Sequence, residues 1–270
     1  MEDGRPGFAG QARYAPMRAR GFRAICLVPL VLGLFAPALV GAGSHAQHCL
    51  GKRATITGGR QGNSIVGTDH ADVIVGNGGN DVILGQGGND RICGGGGLDV
   101  IGGGPGDDFI AGGRKHDVLS GAKGKDTLVG DQVALGRGTA KGSSGDLLFG
   151  MAGRDLEIGD SYSVHGRAIG GGDDTINSGP KSDILVGDSY TVDGSASGGG
   201  NDHVHGLAGA DHLFGDSHAA SGRHASGGGK DELAGAGGHD HLNGGPRHDL
   251  CSGGPNHDVA KHCEWKRGIP

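Results

Sequence analysis

The chain has 270 residues and a formal net charge of -6, yet only 34% of it is hydrophobic and 4% aromatic. Glycine supplies 63 residues and is costly to order, so an ordinary apolar core is excluded and something besides burial must help to hold the fold. Of the 30 acidic residues 26 are Asp, and beyond residue 46 the balance is 19 basic against 28 acidic residues, which argues against a nucleic-acid partner. Collagen is excluded too, because its glycine recurs every third residue. Composition alone also fits a disordered chain.

Arg13, Arg18, Arg20 and Arg23 precede an apolar run from Ala24 to Val40, and Ser44-His45-Ala46 offers a small-residue cleavage site. Residues 1–46 therefore read as a secretory signal peptide. A membrane anchor is the alternative, but Pro29, Gly33 and Pro37 interrupt the run, which is short for a span. His48 before Cys49 argues against lipid attachment. The protein is expected to be secreted and extracellular, without a membrane span after cleavage. Cleavage also removes Cys26 and leaves Cys49, Cys93, Cys251 and Cys263, an even number for which disulfides are the default in an exported chain. Closeness in sequence favours Cys251 with Cys263, which leaves Cys49 with Cys93. A zinc site would need tighter spacing of the CxxC type.

Residues 47–57 read as an N-terminal cap that keeps the phase of the downstream repeats through Ile56 but has Ala54 at the acidic position. From Gly58 the chain is periodic. GGRQGNSIV, with Asn63 at the acidic position, is followed by GTDHADVIV, GNGGNDVIL, GQGGNDRIC, GGGGLDVIG, GGPGDDFIA, GGRKHDVLS and GAKGKDTLV. The pattern is GGxGxDx(apolar)x with period nine, and a fixed period of this kind sets architecture and site chemistry together. These units carry Asp72, Asp81, Asp90, Asp99, Asp108, Asp117 and Asp126, with Ile74, Ile83, Ile92, Ile101, Ile110, Leu119 and Leu128 two residues later. One aliphatic every nine residues marks a short strand with one inward side chain per unit. Short carboxylates on tight glycine turns suit hard-cation coordination.

After this regular segment, 58–130, the acids continue as Asp146, Asp155, Asp174, Asp183, Asp202, Asp211, Asp231, Asp240, Asp249 and Asp258, at steps of 9 or of 19 to 20. Across 131–230 an insert thus follows every second unit, at 131–143, 160–169, 188–197 and 216–226, opening with Asp131, Asp160, Asp188 and Asp216, each after a Gly. The plain period returns over 231–260, and 261–270 form a C-terminal cap or tail. If two units make one turn of a coil, all inserts emerge on the same side, one above another. Alternation in Val133 and Leu135, Tyr162 and Val164, Tyr190 and Val192, and His218 and Ala220, each before a glycine turn, suggests hairpins. Val133, Tyr162, Tyr190 and His218 would then stack in a ladder, either as a partner or saccharide surface or, the simpler reading, as cover for one another.

The pattern from Gly58 to about Ala260 resembles the repeats-in-toxin, or haemolysin-type, calcium-binding repeat. The resemblance implies an all-β protein, a right-handed parallel β-roll or solenoid of nonapeptide repeats with hairpin-like inserts on one side. In that family six residues make a turn, three make a strand and two units complete a coil. It also implies multiple calcium ions between successive turns, held by turn carbonyls and by the unit aspartates, here Asp72 through Asp126 and Asp146 through Asp258 as named above. Asp72 would share an ion with Asp90, Asp81 with Asp99, Asp90 with Asp108 and Asp99 with Asp117. The insert acids Asp131, Asp160, Asp188 and Asp216 would add ligands. With two ladders of carboxylates and one aliphatic per unit, the cation-free chain is expected to be largely unfolded, folding as calcium binds at about 10⁻⁴ to 10⁻³ M.

Departures grade the sites. His70, Lys115, Lys181, Arg247 and Asn256 replace the glycine at the fourth position, and a basic side chain there should weaken a cation site. Glu157 stands where an aliphatic is expected, flanked by Leu156 and Ile158, which puts the local register in doubt. The chain has no HExxH and no GxSxG, and its histidines sit mostly at variable repeat positions. The expected function is a secreted, non-enzymatic structural or adhesive calcium-binding protein, with an extracellular polysaccharide or a cell surface as the partner class. The alternatives are an enzyme or accessory domain acting on extracellular polysaccharide or protein, and an ice- or surface-binding roll.

Overall fold

The structure, a computed structural model, describes residues 47–222 and 224–269; the expected signal peptide, 1–46, lies outside the described residues. Every element in it is a β-strand, most of them two or three residues long, because each unit returns to a glycine turn after its aliphatic. Among the described residues no helix is long and apolar enough to cross a membrane.

Two parallel sheets of ten strands carry the fold, and successive units alternate between them. The first runs from Ser64–Val66 through Val82–Leu84 and Val100–Pro105 to Trp265–Arg267. The second runs from Ile56–Thr57 through Val73–Val75 and Arg91–Gly96 to Val259–Lys261, so the roll already begins within the expected cap. Register is strict. In the first sheet Ile65 pairs with Ile83, then Ile101, Leu119, Leu148, Ile176, Val204, Leu233 and Cys251 in turn. In the second, Ile56 leads through Ile74, Ile92, Ile110 and Leu128 to Glu157, Leu185, Leu213, Leu242 and Ala260. Glu157 therefore keeps the register that its chemistry put in doubt. Apart from Glu157, these two columns form the core, which is only one side chain wide per strand.

Glycine is indispensable where coils touch. At Gly104, with φ of +110°, the carbonyl oxygen of Gln86 on the preceding coil occupies the place of a Cβ. The second turn position is left-handed even without glycine, as at Asn77, Gln86, Ala122, Met151 and Leu207, with φ between 69° and 83°.

The ends are fastened. His48–Cys49 and Lys52–Arg53 form an antiparallel hairpin turning through Leu50 and Gly51, both at positive φ. The Cys49–Cys93 disulfide ties that hairpin to the second sheet, and Cys251–Cys263 closes the last coil, both as expected.

The inserts add two further parallel sheets of four strands each. Val133–Ala134, Tyr162–Ser163, Tyr190–Thr191 and His218–Ala219 form one; Thr139–Lys141, Arg167–Ile169, Ser195–Ser197 and Ala225–Ser226 form the other. Each insert goes out and back like a hairpin, but its ladder bonds run to the next insert rather than across its own turn. Val129, Ile158 and Val186, the outward residues of the second sheet, are buried in this segment together with Ala140, Ala168 and Ala196. The expected ladder forms as well: Val133, Tyr162, Tyr190 and His218 are in register, with Tyr162 and Tyr190 stacked at 5.8 Å and Tyr190 and His218 at 5.7 Å.

Candidate metal centre

Each strand is entered from a six-residue glycine-rich turn ending in Asp, so the stacking of strands also stacks the acids. Asp72, Asp90, Asp108, Asp126, Asp155, Asp183, Asp211, Asp240 and Asp258 lead into the second sheet. Asp81, Asp99, Asp117, Asp146, Asp174, Asp202, Asp231 and Asp249 lead into the first. All of them are buried. The structure thus brings together every aspartate singled out from the sequence, in two ladders, with the residues of each expected pair one coil apart.

Within a ladder the backbone N–H of each Asp donates to Oδ1 of the Asp on the next coil, at 2.6 to 3.0 Å. The inserts lengthen the spacing from 18 residues to 28 or 29 without changing this bond. Asn63 joins the start of the first-sheet ladder by donating its N–H to Asp81, and Asp249 donates to Glu264 Oε2 at its end. Glu264 was not among the residues predicted from the pattern, since it falls outside the period.

The other carboxylate oxygen is free. In every ladder aspartate except Asp72 and Asp183, Oδ2 is buried without a hydrogen-bond partner in the protein. Asp72 receives Thr68, and Asp183 receives the Ser178 hydroxyl. Buried polar groups in native folds are almost always paired, so a whole ladder of unpaired anionic oxygens points to a ligand. Carbonyls converge on the same places. A Cβ added at Gly94 would lie 2.5 Å from Asp99 Oδ2 and 2.6 Å from the Gly112 carbonyl oxygen one coil on. The same pairing of oxygens recurs at Gly76, Gly85 and Gly112.

Burial raises the pKa of Asp108, Asp117, Asp126 and Asp146, against the pull of the N–H bond each accepts, and neighbouring carboxylates raise it further. Asp117 and Asp146 reach about 8, Asp108 and Asp126 about 7. A cation relieves that cost by favouring the ionised form.

The insert acids lie alongside the first-sheet ladder. Asp160 accepts from the Gly172 N–H, Asp188 from Gly200 and Asp216 from Gly229, each two residues before a ladder aspartate, while Asp131 accepts from Ser144. Oδ2 of Asp188 and Asp216 is free and buried. Burial, then Asp174 and Asp188, push Asp160 up to about 11. The residue before each insert acid, Gly130, Gly159, Gly187 or Gly215, keeps the niche in which a ladder Oδ2 meets a carbonyl from the next coil.

Among the described residues no three His, Cys, Asp or Glu side chains gather into a metal cage of their own. The donor set is instead anionic carboxylate plus backbone carbonyl, the oxygen-only set that calcium takes in six to eight contacts at about 2.3–2.6 Å. Histidines pair by stacking, His212 with His241 at 4.8 Å and His239 with His257 at 6.4 Å.

A family model, the RTX calcium-binding nonapeptide repeat, matches residues 66–101, 102–133, 169–189, 196–219 and 226–260, together more than half of the chain. The chain belongs to this RTX family. It is a calcium-binding β-roll protein, and calcium fits the oxygens that its turns leave free. No curated protein matches the chain.

Proposed function

We infer that this RTX protein is exported and acts outside the cell as a structural or adhesive element, without enzymatic activity, its roll forming when extracellular calcium fills the turns. The row of buried, unpartnered Oδ2 atoms along both ladders carries the reading. With one inward side chain per nonapeptide, apolar burial does not offset the entropy of ordering so many glycines, so ligand binding becomes folding free energy. The ladder aspartates are the ligands in this reading, and Asp131, Asp160, Asp188 and Asp216 join those beside them. Two disulfides and the Arg-led apolar run at the start of the chain support export.

The inserts are the part of the roll that differs from the plain repeat, and they offer the partner surface, for which an extracellular polysaccharide or a cell surface is the fitting class. Far-ultraviolet circular dichroism of chelator-treated protein during a calcium titration tests the central claim: a coil spectrum should convert to β on adding calcium. A spectrum that calcium leaves unchanged would sink it. Binding of the calcium-loaded protein to cell-wall polysaccharide, with and without the inserts, tests the partner class.

A further inference from the structure

Glu157 occupies an inward position of the second sheet, between Leu128 one coil before and Leu185 one coil after, and is fully buried. Neither Oε1 nor Oε2 has a well-formed hydrogen bond in the protein, the Gly150 N–H being the backbone donor that approaches them. A buried carboxylate without a partner is among the costliest groups a core can hold, and a leucine would continue the column without that cost.

The carboxylate lies against the glycine that opens its own turn, the place that Ile83 and Ile101 Cδ1 take beside Gly76 and Gly94. A Cβ added at Gly150 would meet Glu157 Oε1 first and Asp155 Oδ2 next, at 2.8 Å. Gly150 opens the turn that ends in Asp155, so it is the counterpart of Gly94 and Gly121, where the free aspartate oxygen is the nearest atom. Asp155 Oδ2 is itself buried and unpartnered. Two carboxylates of one unit thus direct free oxygens into one niche, Asp155 from the turn and Glu157 from the strand. One coil on, Ser178 stands at the position of Gly150 and its hydroxyl donates to Asp183 Oδ2, so the oxygen left free in other turns is engaged there. Among the inward positions from Ile56 to Ala260 Glu157 is the only acid, and its coil lies between the family segments 102–133 and 169–189, so the repeat pattern does not assign it.

We propose that Glu157 is an additional calcium ligand, giving the turn at 150–155 a second carboxylate, from an inward strand position, and a tighter ion than the regular turns hold. The inference rests on the calcium reading above. Ligand charge count is the lever that sets calcium affinity at oxygen sites, and this turn has one carboxylate more than the regular units.

The test compares the parent chain with Glu157→Leu and Glu157→Gln by native mass spectrometry and calorimetry in calcium buffers. The parent should retain one ion down to free calcium at least about tenfold lower than Glu157→Leu does, with the remaining ions unchanged. Glu157→Gln, which keeps the size but not the charge, should lose the same advantage and supplies the comparison should the leucine variant fold poorly. Superimposable titrations of parent and variants would overturn the proposal while leaving calcium binding intact. A parent chain that takes up no calcium would overturn both.

Discussion

The backbone N–H of Asp90 donates to Oδ1 of Asp108, eighteen residues on, at 2.8 Å, while Oδ2 of the same Asp108 has no partner in the protein. One oxygen of the carboxylate joins coils and the other is left for the ion. Asp108→Asn preserves the first role through its amide oxygen and removes the charge needed for the second. The variant should need several-fold more calcium to fold, yet be the more stable protein in chelator, where the like charges of the ladder are uncompensated. The midpoint of a calcium titration and the residual β signal in chelator at acid pH measure the two effects, and a change of the same sign in both would refute the division of labour.

Acidity should stabilise the cation-free roll and leave the calcium-loaded one unchanged. Burial lifts Asp108 and Asp126 from 3.8 to about 7 in the cation-free roll. The folded state then holds protons that the unfolded chain has released, so cation-free stability is greatest at or below pH 3.8 and is lost as pH rises toward 7. Calcium takes the ionised form and releases those protons, so the affinity of the already folded roll for calcium should fall as pH drops below 7, while the calcium-loaded roll, ionised like the unfolded chain, should keep its stability down to about pH 4. Circular dichroism across pH 4 to 8 should show the protein in chelator gaining β signal as pH falls and the protein at saturating calcium holding level; a chelator signal that does not change with pH would refute the reading.

The two columns of inward side chains should dominate what apolar stability there is. Ile101→Ala, at a site 1% exposed, should cost about 2–5 kcal/mol at saturating calcium. Its neighbour Val100 points outward and is 49% exposed, and Val100→Ala should stay within about 0.5 kcal/mol. Denaturant unfolding of the pair distinguishes a one-residue-wide core from a roll held by its outer faces.

Left-handed turn positions carry their own cost. Leu207 has φ of 69° and is exposed, so Leu207→Gly should stabilise the calcium-loaded roll by about 1 kcal/mol. Gly104→Ala should do the reverse, because the Gln86 carbonyl already fills that space. Thermal melts in calcium read both.

A period of nine made most of this legible before any coordinates. It identified Ile74 through Leu128 as inward positions, brought Asp72 through Asp258 into phase, and put the four inserts on one side. It could not show how groups pair. Nothing in the spacing says that Asp90 bonds to the backbone of Asp72, that Tyr162 and Arg167 pair with the neighbouring inserts and not within their own, or that Glu264 ends a ladder from outside the period. Glycine was an imperfect guide to backbone conformation, since Asn77 and Gln86 take the same left-handed position, helped by side-chain bonds to Gly58 and Gly67. Glu157 reads as a fault in register because a sequence pattern classes a residue by polarity, whereas this carboxylate keeps the inward position and meets the Asp155 carboxylate at Gly150.

Strict register between coils also limits how far one ion can be felt. The bonds between ladder aspartates join each coil only to the coils on either side, as Asp90 joins Asp72 and Asp108. Ordering should therefore spread as a front, each filled coil templating the one beside it and no other. A defect such as Lys115 or Lys181 would then halt that front locally, splitting a partly loaded roll into ordered and melted stretches rather than weakening it evenly.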